Sequence, residues 1–150
     1  MLYNKGTGEF ENWILTEEVI PEEHPEKTES IMCLGNGYMG LRSANEEYVH
    51  PRPRSNFIAG TFDLAECADS TELPSNVDVT NMTFTVDGET VDPVKNCEGW
   101  EKTLNIKTGL LRRVYKWKSE QGKTVSFEFL RVVSLKDLHL ISAKVNVSAD

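Results

Sequence analysis

Leu111-Arg-Arg-Val-Tyr-Lys-Trp-Lys118 and Thr124-Val-Ser-Phe-Glu-Phe-Leu-Arg-Val-Val133 decide the fold, because both segments alternate between two kinds of side chain. In the first segment, one face of a strand collects Leu111, Arg113, Tyr115 and Trp117. In the second, one face collects Val125, Phe127, Phe129 and Val133, and Arg131 interrupts it. A period of two residues is that of a β-strand, and the tripeptide 120–122, which contains glycine, indicates a turn. The two segments therefore predict an antiparallel hairpin.

A third alternating segment follows and extends this hairpin. It begins after a turn at 135–137, and its apolar face carries Ile141, Ala143, Val145 and Val147. Three long strands joined by short turns are typical of an antiparallel meander. No part of the chain shows a sustained apolar period of 3.6 residues, so little helix is expected. We therefore predict a mainly all-β protein, an antiparallel β-sandwich.

Glu29–Arg42 predicts a second hairpin around a glycine-rich turn. The apolar run 31–34 indicates a strand, and residues 38–42 indicate its partner. The turn Gly35-Asn36-Gly37 contains Asn-Gly, a strong local signal for a two-residue hairpin. Such a turn requires positive φ at both central residues, which asparagine tolerates and glycine adopts freely.

Shorter apolar segments predict the remaining strands. These are a patch within 10–15, a buried strand over 57–62, and a strand that includes Phe84 and Val86 before an Asp87-Gly88 turn. The acidic segment 17–27, with two prolines, predicts an exposed connection. Residues 92–100 carry no regular pattern and predict irregular backbone.

Charge and composition exclude several classes of partner. The net charge is −8 over 150 residues, so a nucleic-acid partner is not expected, because binding phosphates requires clustered lysine and arginine. No apolar stretch approaches the length of a membrane span, and the first residues do not resemble a signal peptide. Cys33, Cys67 and Cys97 fit no metal-ligand spacing and indicate free thiols. These features predict a cytoplasmic protein.

Candidate acid–base residues are few. Three adjacent carboxylate pairs occur, Glu17-Glu18, Glu22-Glu23 and Glu46-Glu47, and a glycosidase needs two carboxylates across the sugar bond. All three pairs lie in polar sequence, which favours solvated loops. His24, His50 and His139 are far apart in sequence, and His139 lies within a predicted strand. We therefore assign no catalytic, metal-binding or cofactor-binding residue.

Arginines and aromatic residues leave more than one interpretation open. Arg52 and Arg54 offer planar donors for phosphate, but a solvated loop is the simpler interpretation. Apolar sequence surrounds Arg42 and Arg131, so each is expected to be buried and to need carboxylate or carbonyl partners. Four aromatic residues fit either sugar stacking or a core, with the core favoured: Trp13, Trp100, Tyr115 and Trp117.

Taken together, ordered motifs along the chain resemble those of glycoside hydrolase family 65. The opening motif is Glu29-Ser30-Ile31 with Leu34-Gly35-Asn36-Gly37-Tyr38-Met39-Gly40-Leu41-Arg42. The later matching pieces, in order, are Glu46-Glu47, 57–62, Leu73-Pro74, 87–89, 104–112, Gly122, 131–135, Asp137 and His139-Leu140. The similarity extends from about Trp13 to Val147.

This resemblance implies a role that composition does not. The family holds inverting maltose, trehalose and kojibiose phosphorylases, whose N-terminal domain is an antiparallel sandwich of the galactose-mutarotase-like supersandwich type. A separate helical barrel carries the general acid and the phosphate site. Residues 1–150 are then expected to be the first part of the N-terminal sandwich, without the barrel. The implied parent enzyme uses inorganic phosphate as co-substrate and an α-linked disaccharide, and the chain is expected to form a homo-oligomer.

A carbohydrate-binding or protein-interaction module is the alternative. It requires a sheet on which Tyr115 and Trp117 are exposed to solvent, so that their rings can stack on sugars. If these rings are buried, the carbohydrate-binding interpretation fails.

Overall fold

The computed structural model describes residues 2–4, 6–21, 24–47, 55–64 and 70–149. Within them, a short 3-10 helix spans Gly8–Phe10 and one α-helix, α1, spans Pro25–Ile31. The strands are β1 Leu2–Asn4, β2 Ile14–Glu17, β3 Leu34–Gly35, β4 Met39–Leu41, β5 Asn56–Ile58, β6 Thr85–Val86, β7 Glu89–Thr90, β8 Cys97–Asn105, β9 Leu110–Lys118, β10 Thr124–Val133 and β11 Ile141–Ala149. No helix in the described residues has the length and apolar character that crossing a membrane requires.

The largest sheet has six antiparallel strands in the order β1-β2-β8-β9-β10-β11. Its last three strands are the meander predicted from the alternating segments. Tyr115 on β9 lies opposite Phe127 on β10, and Phe129 lies opposite Val145 on β11. The inner face of this sheet is therefore the apolar face that the sequence indicated.

Two smaller sheets cover this inner face, β3-β4-β5 and the hairpin β6-β7. Met32, Leu34 and Leu41 pack with Leu104, Leu111 and Val133 of the large sheet. At the other end, Phe84, Val86 and Val91 pack with an aromatic set formed by Trp100, Tyr115, Trp117, Phe127 and Phe129. The predicted antiparallel β-sandwich is confirmed.

The hairpin within 29–42 is confirmed, but its turn differs from the prediction. Of its central residues only Gly37 has a positive φ, 86°, whereas Asn36 does not. The Asn36 side-chain oxygen instead accepts hydrogen bonds from the backbone N–H groups of Tyr38 and Met39, at 3.0 and 2.8 Å. Its amide group donates to the carbonyls of Ser134 and Leu138. This side chain therefore closes the turn and fixes it to the β10–β11 connection.

The strand predicted over 31–34 is wrong, because α1 continues to Ile31 and β3 begins only at Leu34. The exposed connection predicted over 17–27 is also wrong at both ends, since Glu17 lies in β2 and α1 begins at Pro25. Proline is favoured at the first helical position because its missing N–H has no partner there in any case. A helix of seven residues is too short to show an apolar period.

Other observed element boundaries also differ from the predicted ones. The strand predicted over 57–62 ends at Ile58, and Phe62 is exposed. Residues 97–100 are not irregular but open β8, where a bulge between Glu98 and Glu101 breaks the alternation. His139 lies in the turn before β11, edge-on to the Tyr38 ring at 4.4 Å, and not in a strand. The Asp87-Gly88 turn is confirmed, with positive φ at both residues.

Candidate functional site: a buried charge layer

Charged residues divide the inner face of the large sheet between its two apolar clusters. On β8, Lys102 lies between Trp100 of one cluster and Leu104 of the other. Arg113 on β9 and Arg131 on β10 occupy the same intermediate position on their strands. These three cations are at most 3% exposed. They form the sheet side of what we call the charge layer, whose full membership is Glu17, Glu46, Glu47, Lys102, Arg113, Tyr115 and Arg131.

Two consecutive glutamates from the segment after β4 provide the opposite side of the charge layer. Arg113 Nη2 donates to Glu46 Oε2 at 2.6 Å and to Glu47 Oε2 at 2.7 Å. Arg131 Nη2 donates to the other oxygen of Glu46 and to the Ala44 carbonyl. The two arginines thus share the Glu46 carboxylate, and the layer joins the covering segment to the sheet.

Because the side chains of the charge layer are buried, their charges depend on oppositely charged partners. Desolvation alone would raise the pKa of Glu46, but the guanidinium groups of Arg113 and Arg131 outweigh it and lower the pKa to about 2. Burial opposes the charge of Arg113, yet Glu47 and Glu46 raise its pKa. The Arg113 guanidinium also lies 4.1 Å from the centre of the Phe129 ring, a cation–π contact. Glu46 and Arg113 are therefore ionised, and Arg113 is held on several sides.

Tyr115 connects the charge layer to the aromatic cluster. Its hydroxyl donates to Glu47 Oε1 at 2.5 Å, while its ring stacks on Phe127 with centroids 5.2 Å apart. Burial and the neighbouring Glu47 carboxylate both raise the pKa of Tyr115. The phenol is thus a neutral donor whose position is determined by the core.

Lys102 and Glu17 lie opposite each other on β8 and β2. Lys102 Nζ donates to the Ser43 carbonyl and lies 3.5 Å from the Asn45 side-chain oxygen. Burial, and then the positive charge of Arg113, lower the pKa of Lys102 to about 8 although Glu17 opposes them. Burial raises the pKa of Glu17. Burial thus disfavours the charged form of both members of this pair.

Replacing Lys102 by methionine is expected to remove a rise in stability with pH. Between pH 8 and pH 10.5 the unfolded chain keeps the Lys102 proton while the folded chain loses it, so Lys102 makes stability rise with pH. The whole rise corresponds to about 3 kcal/mol for a shift of this size, of which about 2 kcal/mol falls between pH 8 and pH 10. Urea unfolding of both proteins at pH 8 and pH 10 measures it, and parallel pH dependence in wild type and variant would contradict the assignment.

The charge layer offers no room for a sugar. The cavity beside it has a volume of about 50 Å³ and is lined in part by Glu17, Glu29, Glu47, Trp100 and Lys102. Sites for molecules the size of a disaccharide occupy several hundred Å³, on the order of 300 or more. Glu46 and Glu47 already accept hydrogen bonds from Arg113. The layer therefore joins the covering segment to the large sheet, and the space beside its carboxylates is smaller than a disaccharide.

The outer face of the sheet carries a different, solvent-accessible set. An open depression of about 580 Å³ runs across β9, β10 and β11. There Arg112 Nε donates to Glu128 at 2.8 Å, and Asn146 donates to the other Glu128 oxygen at 2.8 Å. The hydrogen bond from Asn146, followed by that from Arg112, lowers the pKa of Glu128. Both oxygens of the Glu128 carboxylate thus accept hydrogen bonds from neighbouring strands.

The solvated loop predicted for Glu46-Glu47 is wrong, since both side chains are buried against Arg113. Glu17, also expected in a solvated loop, is buried as well. The predicted partners of Arg42 and Arg131 are confirmed, but only Arg131 is fully buried, whereas 27% of the Arg42 side chain is exposed. Arg131 contacts Glu46, and Arg42 donates to the Glu26 carbonyl and lies 3.6 Å from the Glu29 carboxylate.

The remaining candidate residues are the cysteines, the possible metal ligands and those outside the described part of the chain. Cys33 and Cys97 are free thiols, and burial raises the pKa of Cys97 to about 11. In the described part of the chain, no group of three His, Cys, Asp or Glu side chains is placed to hold a metal ion. Five predictions lie outside the described residues: those for Glu22-Glu23, His50, Arg52, Arg54 and Cys67.

The aromatic residues belong mainly to the core. Tyr115 and Trp117 are 2% and 1% exposed, and Trp100 is buried with them, whereas Trp13 is 43% exposed. Because the carbohydrate-binding alternative required solvent-exposed rings at Tyr115 and Trp117, these residues cannot supply a sugar-stacking platform.

Comparison with known proteins identifies the family. Residues 15–150 match the model of glycosyl hydrolase family 65, N-terminal domain. The chain belongs to this family. Its family 65 sequence is 38% identical over 146 residues to kojibiose phosphorylase from Halothermothrix orenii, covering 97% of this chain and 19% of that protein. It is 30% identical over 134 residues to kojibiose phosphorylase from Escherichia coli, covering 89% of this chain and 18% of that protein.

The fold of this family 65 domain is also found in a solved structure. A chain attributed to a kojibiose phosphorylase from the human microbiome superposes with a TM-score of 0.79 at 21% identity, covering 95% of this chain and 20% of that one. Maltose phosphorylase from Bacillus subtilis is 29% identical over 150 residues, covering 89% of this chain and 19% of that protein. The chain thus spans about a fifth of the length of these curated relatives.

Proposed function

We propose that this chain is the non-catalytic N-terminal β-sandwich domain of an inverting α-glucoside phosphorylase. The observation that carries the proposal is the family match over residues 15–150, together with relatives named as phosphorylases of which the chain covers about a fifth. The charge layer supports it, since Glu46 and Glu47 face Arg113 and not a cavity of sugar size.

The parent enzyme splits an α-linked disaccharide with inorganic phosphate and releases β-glucose 1-phosphate and a sugar. Inversion requires one acid to protonate the leaving oxygen while phosphate attacks the opposite face of the ring. Those groups lie on a helical barrel of the same polypeptide, and this domain packs against the barrel, shapes the mouth of the site and aids self-association. The free thiols of Cys33 and Cys97 fit a reducing cytoplasm, where such metabolism takes place.

The isolated chain is expected to release no glucose 1-phosphate from maltose or kojibiose with phosphate. A chimera tests the scaffold role directly: this chain replaces the matched segment of the Halothermothrix orenii kojibiose phosphorylase. We expect the chimera to keep phosphorolysis and the substrate preference of that enzyme, because the reacting groups lie outside the exchanged segment. Turnover by the isolated chain, or a folded chimera without activity, would contradict the proposal.

A further inference from the structure

Lys102 and Glu17 are buried together without a hydrogen bond between them. The two residues lie opposite each other on β8 and β2 and are 3% and 2% exposed. An ammonium group carries three N–H donors. In the described part of the chain, the Lys102 ammonium donates to the Ser43 carbonyl and faces the Asn45 side-chain oxygen at 3.5 Å, so Glu17 acts on it only as a nearby charge. One donor of Lys102 is therefore left for a further acceptor.

The other carboxylates near Lys102 already have cationic partners. Glu47 accepts a hydrogen bond from Arg113 at 2.7 Å, and the Glu29 carboxylate lies 3.6 Å from Arg42 Nη2. Glu17 is the carboxylate for which the described residues provide no such ion pair, and Lys102 is the nearby charge that favours its ionised form. A buried charge is costly unless hydrogen bonds satisfy it. Both members of the Lys102–Glu17 pair thus need a group that can accept from one and donate to the other.

The cavity beside the charge layer has room for such a group. Lys102 and Glu17 both line this space, whose volume is about 50 Å³. A buried water molecule needs a volume of roughly 10–15 Å³ and two to four polar partners. Cavities with apolar walls stay dry, whereas a cavity lined by an ammonium group and carboxylates provides the partners that hold water. Size and chemistry therefore both fit water, which is at once an acceptor and a donor.

We propose that an ordered water molecule in this cavity bridges Lys102 and Glu17. Its oxygen accepts a hydrogen bond from the Lys102 ammonium, and one of its O–H groups donates to the Glu17 carboxylate. Through this water, Lys102 joins β8 both to β2 and to the covering segment that contains Ser43. All these groups belong to the described part of this chain, so the inference does not rest on the proposed function.

A high-resolution crystal structure of the chain tests the position of the water. We expect density for a water molecule within hydrogen-bond distance of both Lys102 Nζ and an oxygen of the Glu17 carboxylate. A direct ion pair between Lys102 and Glu17 would overturn the proposal, and so would the lack of an ordered water between them. This test needs no variant and therefore does not depend on the folding of an altered chain.

Magnetic relaxation dispersion of water tests the same bridge in solution, because it counts water molecules that stay inside a protein for longer than the protein takes to tumble. The double variant Glu17→Met with Lys102→Met removes both partners of the water, and buried ion pairs often tolerate replacement by apolar side chains of similar size. We expect its count of long-lived waters to be about one lower than that of wild type. Glu17→Gln is the matched control, since its amide oxygen still accepts from the water and the count should not change. An unchanged count in the double variant, or an equal loss in Glu17→Gln, would overturn the bridge.

Discussion

Replacing Glu46 by glutamine is expected to lower the free energy of unfolding by about 3–5 kcal/mol. The carboxylate accepts hydrogen bonds from both Arg113 and Arg131, and all three side chains are at most 5% exposed. Glutamine keeps the shape but removes the charge, and its amide group directs donors at a guanidinium that is itself a donor. Urea unfolding at pH 7 measures the loss. Since domains of this size are stable by roughly 5–15 kcal/mol, the variant would be close to unfolding.

Glu128→Gln is the matched control for this experiment. Glu128 also accepts from one arginine and one further donor, but on the outer face, with 31% of its side chain exposed. Its replacement is expected to lower the free energy of unfolding by no more than about 1 kcal/mol. Equal losses for the two variants would mean that burial does not decide the strength of these pairs.

The Glu46 carboxylate also predicts that the protein loses stability in acid. The folded pKa of Glu46, about 2, lies below the ordinary value of 4.5. The contribution of Glu46 to stability is therefore complete above pH 4.5 and is lost as the pH falls toward 2. The difference in unfolding free energy between wild type and Glu46→Gln should narrow over this window. A constant difference from pH 6 to pH 2.5 would contradict an ionised Glu46.

The long strands could be predicted because their information is local. The sequences of β9, β10 and β11 alternate with a period of two, as expected for strands with one face toward the core and one toward solvent. The observed bounds of β10 equal the predicted ones. The opening of β8 was hidden because the bulge between Glu98 and Glu101 places two successive exposed residues in the pattern. In the 29–42 hairpin, the turn conformation differs from the predicted one because the Asn36 side chain bonds to the distant carbonyls of Ser134 and Leu138.

The charge layer was only half predictable. A cation on an otherwise apolar strand face, as at Arg131, indicates burial and a required acceptor. Nothing in the local sequence says which of 24 acidic residues provides it, and the partner Glu46 is 85 residues away. Arg113 gives the same signal on the neighbouring strand, since it shares a face with Leu111, Tyr115 and Trp117. Two such cations on adjacent strands, considered together, would have pointed to a buried carboxylate.

Trp117→Ala is expected to lower the free energy of unfolding by about 3–5 kcal/mol, because the indole is fully enclosed and its removal leaves a large cavity in the aromatic cluster. Trp13→Ala deletes the same atoms from a side chain that is 43% exposed, and is expected to lower it by about 1 kcal/mol. Urea unfolding of the two variants beside wild type gives both values. The difference between the two losses of stability reflects the burial of the indole, since the residue type and the substitution are identical.

This pair of variants also separates the two interpretations that the aromatic residues allowed. If Trp117 served a sugar, its removal would abolish a maltose-dependent change in tryptophan fluorescence while the chain stayed stable. A core residue predicts the reverse: no fluorescence response to maltose in wild type, and a large loss of stability in Trp117→Ala. The ring of Trp117 is 1% exposed and packs in the cluster that contains Val125 and Phe127, so sugar has no path to it without opening the sandwich. A fully stable Trp117→Ala protein would therefore contradict the placement of β9 itself.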